Sequence, residues 1–325
     1  MDWPTPRLMP PHRLTKSGFM AWLHCPRRAW LQAHRPDARG PLSPNEQIRI
    51  ATGIAFGREV TRLFAGGVRI EADRGSPAAA VAETARHLER GEAAALFEPA
   101  FRHRDVLVRA DVLARPGPGA GPWHLVEVKS ASNSAGNDSE RRRKLRKHWS
   151  DMAVQLFVLE GAGLPVERVS LAWVNAGYER SGEIDWQALV AIEDHTEAVR
   201  ERAADVGDEV EEALALLDEP EMPPAEFGKT KCVEQCEFAE HCWGGEPDDS
   251  IIHLPRTREA QLADLRARGI TRISEIPDHI ELPRAQAAAR EALRHPDVVV
   301  ADPAGLAGWL ATLQYPLHYL DFETW

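Results

Sequence analysis

The sequence of 325 residues predicts an α/β fold followed by a small helical unit at the C-terminus. Apolar residues recur at helical spacing over residues 46–64, and the Ala-rich segment 77–95 has a helical composition. Residues 101–114 and 123–130 instead alternate in part between apolar and polar side chains, as half-buried strands do. Helical and strand segments that follow one another along the chain favour an α/β domain.

Local signals place the remaining elements in order. A helix begins near Thr15, whose hydroxyl suits an N-cap, and ends before Pro26. Pro and Gly alternate at 116–119, so a turn there joins the two strands as a hairpin or a closely linked pair. A helix comes next, then a strand over 166–174 and a long acidic helix or helical pair over 186–217.

Composition and charge set the broad class of the protein. Hydrophobic residues make up 43% and charged residues 27% of the chain, an ordinary globular balance. With no long apolar run and no apolar leader, the sequence predicts a cytoplasmic protein without a membrane partner. The net charge of −11 opposes nonspecific nucleic-acid binding on average, but residues 139–150 hold six Lys or Arg against one Glu. Besides a solvated helix face, this segment suits a nucleic-acid interface formed by Arg141, Arg142, Arg143, Lys144, Arg146 and Lys147.

Two carboxylates and a lysine on the predicted strands form the first candidate site. Side chains alternate along a strand, so Glu127 and Lys129 share one face, and pairing of the strands brings Asp111 beside Glu127. Two such carboxylates can hold Mg²⁺ or Mn²⁺, and a neighbouring ammonium can stabilise charge on a phosphate. Gln155 on the following helix strengthens this interpretation over the alternative of an ordinary surface Glu–Lys pair.

Four cysteines form the second candidate site. Cys232, Cys236 and Cys242 are a compact trio, and Cys25 lies far upstream. Four thiolates suit a [4Fe–4S] cluster or a tetrahedral zinc ion. The arrangement of one plus three favours iron–sulfur, because zinc sites more often consist of two close pairs; unligated buried cysteines are the remaining alternative. A histidine could also replace one thiolate, the candidates being His24, His103 and His241.

Together these residues resemble the PD-(D/E)XK nuclease superfamily in its RecB-like branch, which includes CRISPR-associated RecB-like exonucleases and the nuclease domain of AddB. The resemblance runs from about residue 13 to residue 245 and includes the run Cys25-Pro26-Arg27-Arg28. It implies a restriction-endonuclease-like core, with a mixed central sheet flanked by helices, in which Asp111 and Glu127 bind a metal and Lys129 is the catalytic lysine. It also implies that Gln155 matches a QxxxY-type motif. The structural [4Fe–4S] cluster of these relatives would be held here by Cys25, Cys232, Cys236 and Cys242.

Two positions depart from the pattern of this family. Leu159 stands where the QxxxY-type motif has its Tyr. Many relatives also carry a metal-binding His four residues after a Gly, whereas Gly57 is followed at that distance by Thr61. Glu98, just before the first predicted strand, is the preferred substitute ligand, ahead of Glu59.

The C-terminal part carries two further resemblances. Residues 258–294 resemble a helix-hairpin-helix segment whose turn at Gly269-Ile270 presents backbone amides to phosphates; a plain helical bundle is the alternative. Residues 319–324 resemble the first metal-binding motif of DnaQ-like exonucleases, whose other motifs would lie downstream. The predicted domains are a nuclease domain over 1–250, a helical segment over 251–300 and the start of a truncated DnaQ-like domain over 301–325.

The expected function is that of a metal-dependent DNA nuclease, with single-stranded ends as the preferred substrate and RNA left open. Mg²⁺ or Mn²⁺ and a [4Fe–4S] cluster are the expected cofactors. The competing interpretation is a module that keeps the nuclease fold and binds nucleic acid or partners without cleaving. The absent histidine favours that module, while Asp111, Glu127 and Lys129 favour the enzyme. A zinc-stabilised scaffold for protein partners, suggested by the acidic segment 197–226, is a third possibility.

Overall fold

The chain forms two compact units, Met1–Ala225 and Glu226–Trp325. The computed structural model describes residues 13–72, 75–134, 137–225, 236–297 and 302–320. The division lies upstream of the boundary predicted at residue 250. Asp249 already belongs to the second unit, because its carbonyl accepts a hydrogen bond from the N–H of Ile273 at 2.6 Å and its carboxylate lies 2.7 Å from the guanidinium of Arg272.

Within the described residues, the first unit contains nine strands in two sheets. They are β1 (Leu14–Thr15), β2 (Gly67–Arg69), β3 (Ala95–Phe97), β4 (Ala100–His103), β5 (Val106–Arg109), β6 (Val112–Ala114), β7 (Trp123–Ser132), β8 (Val166–Val174) and β9 (Val190–Asp194). A six-stranded sheet has the order β2-β3-β6-β7-β8-β9, and a three-stranded sheet has the order β1-β5-β4. In the larger sheet β6 and β7 are antiparallel, whereas β7 and β8 are parallel. This confirms the predicted fold class of a mixed central sheet flanked by helices.

The helices of the first unit are α1 (Lys16–His24), α2 (Pro26–His34), α3 (Pro44–Val60), α4 (Pro77–Arg90), α5 (Asp138–Gly161), α6 (Trp186–Leu189), α7 (Thr196–Ala203) and α8 (Val206–Asp218). Thr15 is the N-cap of α1, and its hydroxyl accepts a hydrogen bond from the N–H of Gly18 at 3.0 Å. The buried residues of α5, among them Met152 and Val158, join one apolar cluster with Leu125 and Leu171 of the sheet. None of the described helices is both long enough and apolar enough to cross a membrane.

Two predictions about individual elements were wrong. Residues 101–114 contribute to three strands rather than one, because the chain turns at Arg104, whose φ is +48°, and changes sheets after Arg109. Residues 186–217 were predicted to be entirely helical, but they also contain the strand β9. Val190 is buried there and the segment pairs with β8, so sheet pairing outweighs the helical composition.

The described helices of the second unit are α9 (Ala239–Trp243), α10 (Glu259–Ala267), α11 (Arg284–Arg294) and α12 (Pro303–Ala311). Leu262 and Leu265 of α10 pack with Ile273 and Ile276 in the apolar cluster of the second unit. Residues 258–294, which the sequence predicts as helices joined by a turn at Gly269, form that arrangement. A helix is followed by the turn at Gly269, a short helical turn and a final helix after Pro283. The acidic residues of the motif at 319–324 lie outside the described residues.

Candidate active site

Asp111 and Glu127 lie on neighbouring strands of the larger sheet. The antiparallel register aligns Val112 of β6 with Val126 of β7, so the residues one step further along, Asp111 and Glu127, come side by side. One oxygen of Asp111 accepts a hydrogen bond from the backbone N–H of Val128 at 2.7 Å, which holds the side chain against β7. The structure therefore brings together the two carboxylates that the sequence assigns to one site.

Glu127 is the most buried charged group of this site, with 1% of its side chain exposed. One carboxylate oxygen accepts hydrogen bonds from the ammonium of Lys129 at 2.5 Å and from that of Lys16 at 3.2 Å. The other oxygen accepts from the side-chain amide of Gln155 at 2.7 Å. A buried carboxylate is stable only with such partners, and these three side chains come from α1, β7 and α5.

Asp151 and Lys16 complete the network, and the sequence analysis missed both. Asp151 lies on α5 one turn before Gln155; its two oxygens lie 2.8 Å from Lys129 Nζ and 3.1 Å from Lys16 Nζ. The spacing of four residues between Asp151 and Gln155 was an available signal, since such residues share one helix face. Lys16 gave no local signal, because its contact with Glu127 spans 111 residues of chain.

The charges of the site are tightly linked. Burial and the neighbouring Glu127 carboxylate raise the pKa of Asp111 to about 7. Burial also acts to raise the pKa of Glu127, but the charges of Lys129 and Lys16 outweigh it and hold that pKa well below its usual range. Burial acts to lower the pKa of each lysine, yet the surrounding carboxylates outweigh it and raise both pKa values. The two ammonium groups thus balance Glu127 and Asp151, and ionisation of Asp111 leaves one uncompensated negative charge.

The available oxygen atoms fit a small divalent cation. The side-chain oxygen of Gln155 is buried and has no hydrogen-bond partner among the described residues. It belongs to the same site as the carboxylates of Asp111 and Glu127, where one negative charge is uncompensated. Mg²⁺ prefers such hard oxygen ligands and is commonly bound by one or two carboxylates together with water and substrate phosphates.

Glu98, the predicted substitute ligand, is joined to Asp111 by a hydrogen bond between their backbones. Its N–H donates to the carbonyl of Asp111 at 3.1 Å, and its carboxylate lies 3.6 Å from Nε of Arg109. Among the described residues, no three His, Cys, Asp or Glu side chains are grouped so as to hold a metal ion. A role for Glu98 as third ligand therefore stays a prediction. Leu159, at the place of the motif's Tyr, is fully buried in the apolar cluster.

The basic segment occupies the first half of α5, upstream of Asp151. Arg141 is bound within the fold, with its guanidinium 2.6 Å from Glu193 and over the ring of Trp173. Lys144 donates to a backbone carbonyl at 2.7 Å. The remaining four basic side chains are exposed and form no ion pair with a described residue: Arg142, Arg143, Arg146 and Lys147.

The predicted cysteine ligands fall in both units. Cys25 is buried between α1 and α2 in the first unit, Cys236 and Cys242 are half-buried in the second, and Cys232 lies outside the described residues. The three described thiols are not in disulfides. The cluster therefore stays a prediction.

No family model matches the chain, and no curated protein matches it significantly. The solved structures similar to it include two of low identity. The crystal structure of SSO0001 is 12% identical with a TM-score of 0.32, over 73% of this chain and 89% of that chain. An alkaline exonuclease (LHK-Exo) from Laribacter hongkongensis is 10% identical with a TM-score of 0.33, over 63% and 90% respectively. At this similarity neither structure defines the function of this chain, which has to be inferred from the site.

Proposed function

We propose that the chain is a metal-dependent nuclease that hydrolyses phosphodiester bonds, with single-stranded DNA ends as its preferred substrate. The observation that carries the proposal is the convergence of Asp111, Glu127, Lys129 and Gln155. At this one place ionisation of Asp111 leaves an uncompensated negative charge, and the buried amide oxygen of Gln155 has no hydrogen-bond partner among the described residues. A divalent cation would satisfy both.

Each side chain has a role in this proposal. Asp111, Glu127 and Gln155 would hold Mg²⁺ or Mn²⁺, and the bound ion would supply Lewis acidity and an activated water. Lys129 is charged at neutral pH and 29% exposed, so its ammonium can stabilise negative charge that develops on a phosphate. Asp151 is a positioning residue, because its carboxylate lies 2.8 Å from the Lys129 ammonium and holds it in the site together with Glu127.

Charge supports a nucleic-acid substrate, while the preference for single-stranded DNA ends rests on the resemblance to RecB-like nucleases. Four exposed cations at the start of α5 provide phosphate contacts on the helix that also carries Asp151 and Gln155. Because such contacts read the backbone and not the bases, we expect cleavage without strong sequence preference.

The nuclease proposal is tested by incubating the protein with labelled linear and circular single-stranded DNA, duplex DNA and RNA, with Mg²⁺, Mn²⁺ or EDTA. We expect cleavage of linear single strands with metal, none with EDTA, and little cleavage of circles, which have no ends. Glu127→Gln should abolish cleavage because it removes a ligand charge. Glu160→Gln, the same change at an exposed position of α5, is the matched control and should not affect cleavage. Cleaved circles would replace the exonuclease assignment with an endonuclease.

A module that binds nucleic acid without cleaving it is the second candidate. It is favoured by the two lysines that already neutralise Glu127, since a metal ion has to compete with both. If the folded protein cleaves no substrate with any metal yet binds labelled DNA in EDTA, this second function replaces the first.

We further propose that Cys25, Cys232, Cys236 and Cys242 hold a [4Fe–4S] cluster with a structural role. The contacts of α2, the helix that begins directly after Cys25, support this proposal. This helix is hydrogen-bonded to residues 219–223, which precede Cys232 in the chain. Trp30 donates to the carbonyl of Glu219 at 2.8 Å and Arg27 to that of Pro223 at 3.2 Å. These bonds hold α2 against residues 219–223, which immediately precede the second unit in the chain.

Iron and sulfide analysis of protein purified without oxygen tests the cluster proposal. We expect the protein to contain both iron and sulfide and to show an absorbance shoulder at ~400 nm. Cys25→Ser should lose the iron, the sulfide and the shoulder. Loss of the cluster should also lower the melting temperature, since metal ligation stabilises the folded state. Stoichiometric zinc without iron would contradict the assignment and favour a tetrahedral zinc site.

A further inference from the structure

Seven of the eight arginines of the second unit fall into two contrasting groups. Four of them are ion-paired with carboxylates of the same unit: Arg268, Arg272, Arg290 and Arg294. Arg256, Arg258 and Arg284 instead form no ion pair with any described residue and are exposed. These three line one cavity of about 870 Å³ between the segment 255–261 and the start of α11.

The cavity is a concentrated positive site in an acidic protein. None of its lining residues is acidic, and the walls between the arginines come from Pro255, Pro283 and two alanines. The first turn of α11 adds to the positive potential, because it contains no acidic residue and no side chain caps it. A cavity of this size accommodates a ligand as large as a nucleotide.

The arginine-bearing turn is held in place by buried hydrogen bonds. Gln286, 2% exposed, donates to the carbonyl of Pro255 at 3.0 Å and exchanges hydrogen bonds with Gln261. These bonds join the two walls of the cavity. Arg256 has a φ of +51°, a left-handed conformation that is unfavourable for a side chain of this kind. The guanidinium groups are therefore presented from a fixed scaffold.

The turn at Gly269-Ile270, where the sequence predicts phosphate contacts, has its amides already engaged. The N–H of Gly269 donates to the backbone carbonyl of Arg266 at 2.8 Å, and the N–H of Ile270 donates to that of Leu265 at 3.0 Å. These two hydrogen bonds close the C-terminus of α10. Those two N–H groups are not free for a phosphate. The cavity lies at the other end of α10, where Arg258 precedes the helix.

We propose that this cavity binds a nucleotide unit of a single-stranded nucleic acid, with Arg256, Arg258 and Arg284 contacting backbone phosphate. Guanidinium groups suit this role because they donate two parallel hydrogen bonds to phosphate oxygens. The proline and alanine walls face the sugar or base. The proposal does not depend on cleavage in the first unit, so its test is run without divalent metal.

The test measures binding of a labelled single-stranded oligonucleotide to the full chain in EDTA as a function of salt. We expect the triple variant R256A/R258A/R284A to bind at least ~10-fold more weakly. The slope of log affinity against log salt should shrink by ~2, as expected for three lost contacts to a single strand. Arg284→Glu should weaken binding more than Arg284→Ala.

The matched control is Arg268→Ala, which removes an exposed charge of the same unit that is already paired with Asp264. It should leave affinity and salt slope unchanged. Unchanged binding by a folded triple variant would overturn the proposal. Competition by inorganic phosphate distinguishes the source of the ligand: if the arginines prove necessary for phosphate binding but not for oligonucleotide binding, the site takes a free anion and the nucleic-acid assignment is wrong.

Discussion

Replacing Lys129 with alanine is expected to lower metal-dependent cleavage by about 10²–10³-fold, the usual effect of losing one group that stabilises charge in the transition state. Lys129 is the more exposed of the two ammonium groups that contact Glu127. The effect should fall on kcat, because the ammonium acts on charge that develops during the reaction. Binding of labelled DNA in EDTA should change by no more than a few-fold, since the exposed cations of α5 remain.

Two controls separate catalysis from folding in this experiment. Arg86→Ala removes an equal charge from an exposed position of α4, outside the site and the basic segment, and should keep cleavage near the wild-type rate. Lys129→Met retains most of the aliphatic stem, so a loss of activity without a large fall in melting temperature isolates the ammonium. Cleavage by Lys129→Ala at the wild-type rate would mean that the active site lies elsewhere in the chain.

Replacing Asp111 with asparagine is expected to stabilise the metal-free protein while abolishing metal-dependent cleavage. The folded-state pKa of Asp111 is raised to about 7, so its contribution to stability is lost as pH rises from about 4 to about 7. Near pH 8 the ionised carboxylate should cost on the order of a few kcal/mol. The variant should therefore melt several degrees higher than wild type in EDTA.

Replacing Glu127 should change the melting temperature in the opposite direction, so Glu127→Gln is the matched comparison for Asp111→Asn. Its folded-state pKa is lowered, so its ionised form stabilises the protein above the usual pKa and this contribution is lost as pH falls. Glu127→Gln should therefore lower the melting temperature at neutral pH, leaving Lys129 and Lys16 with an incomplete partner.

Thermal melts near pH 5 and near pH 8, with EDTA or with Mg²⁺, distinguish these cases. The advantage of Asp111→Asn over wild type should grow between the two pH values. Added Mg²⁺ should raise the melting temperature of wild type but not of the variant, because a ligand that binds the folded state stabilises it. A variant less stable than wild type at the higher pH would contradict the placement of an uncompensated charge at Asp111.

Much of the fold and part of the candidate site followed from local patterns. Alternation along β7 put Glu127 and Lys129 on one face, and the short link after β6 made its pairing with β7 the simplest arrangement. The α/β class followed from the order of helices and strands. These inferences succeeded because they depend on neighbouring residues and on the period of each element.

The contacts that complete the site depend on residues far apart in the chain. Lys16 reaches Glu127 across 111 residues, and no periodicity marks such a pair. The strand β9 forms within an acidic, helix-like segment because the edge of β8 offers hydrogen bonds that local composition does not reveal. The same holds for the arginine cavity, since paired and unpaired arginines look alike in a sequence.

The sequence was therefore sufficient for the fold class and for the residue types of the candidate site, because both are carried by short-range pattern and chemistry. The charge state of the site came only from folding: burial of Asp111 beside Glu127, with Lys16 and Lys129 from separate elements, sets which groups are ionised. Coulomb energy and desolvation depend on distance in space and on exposure to water, and neither quantity can be read from the order of residues along a chain.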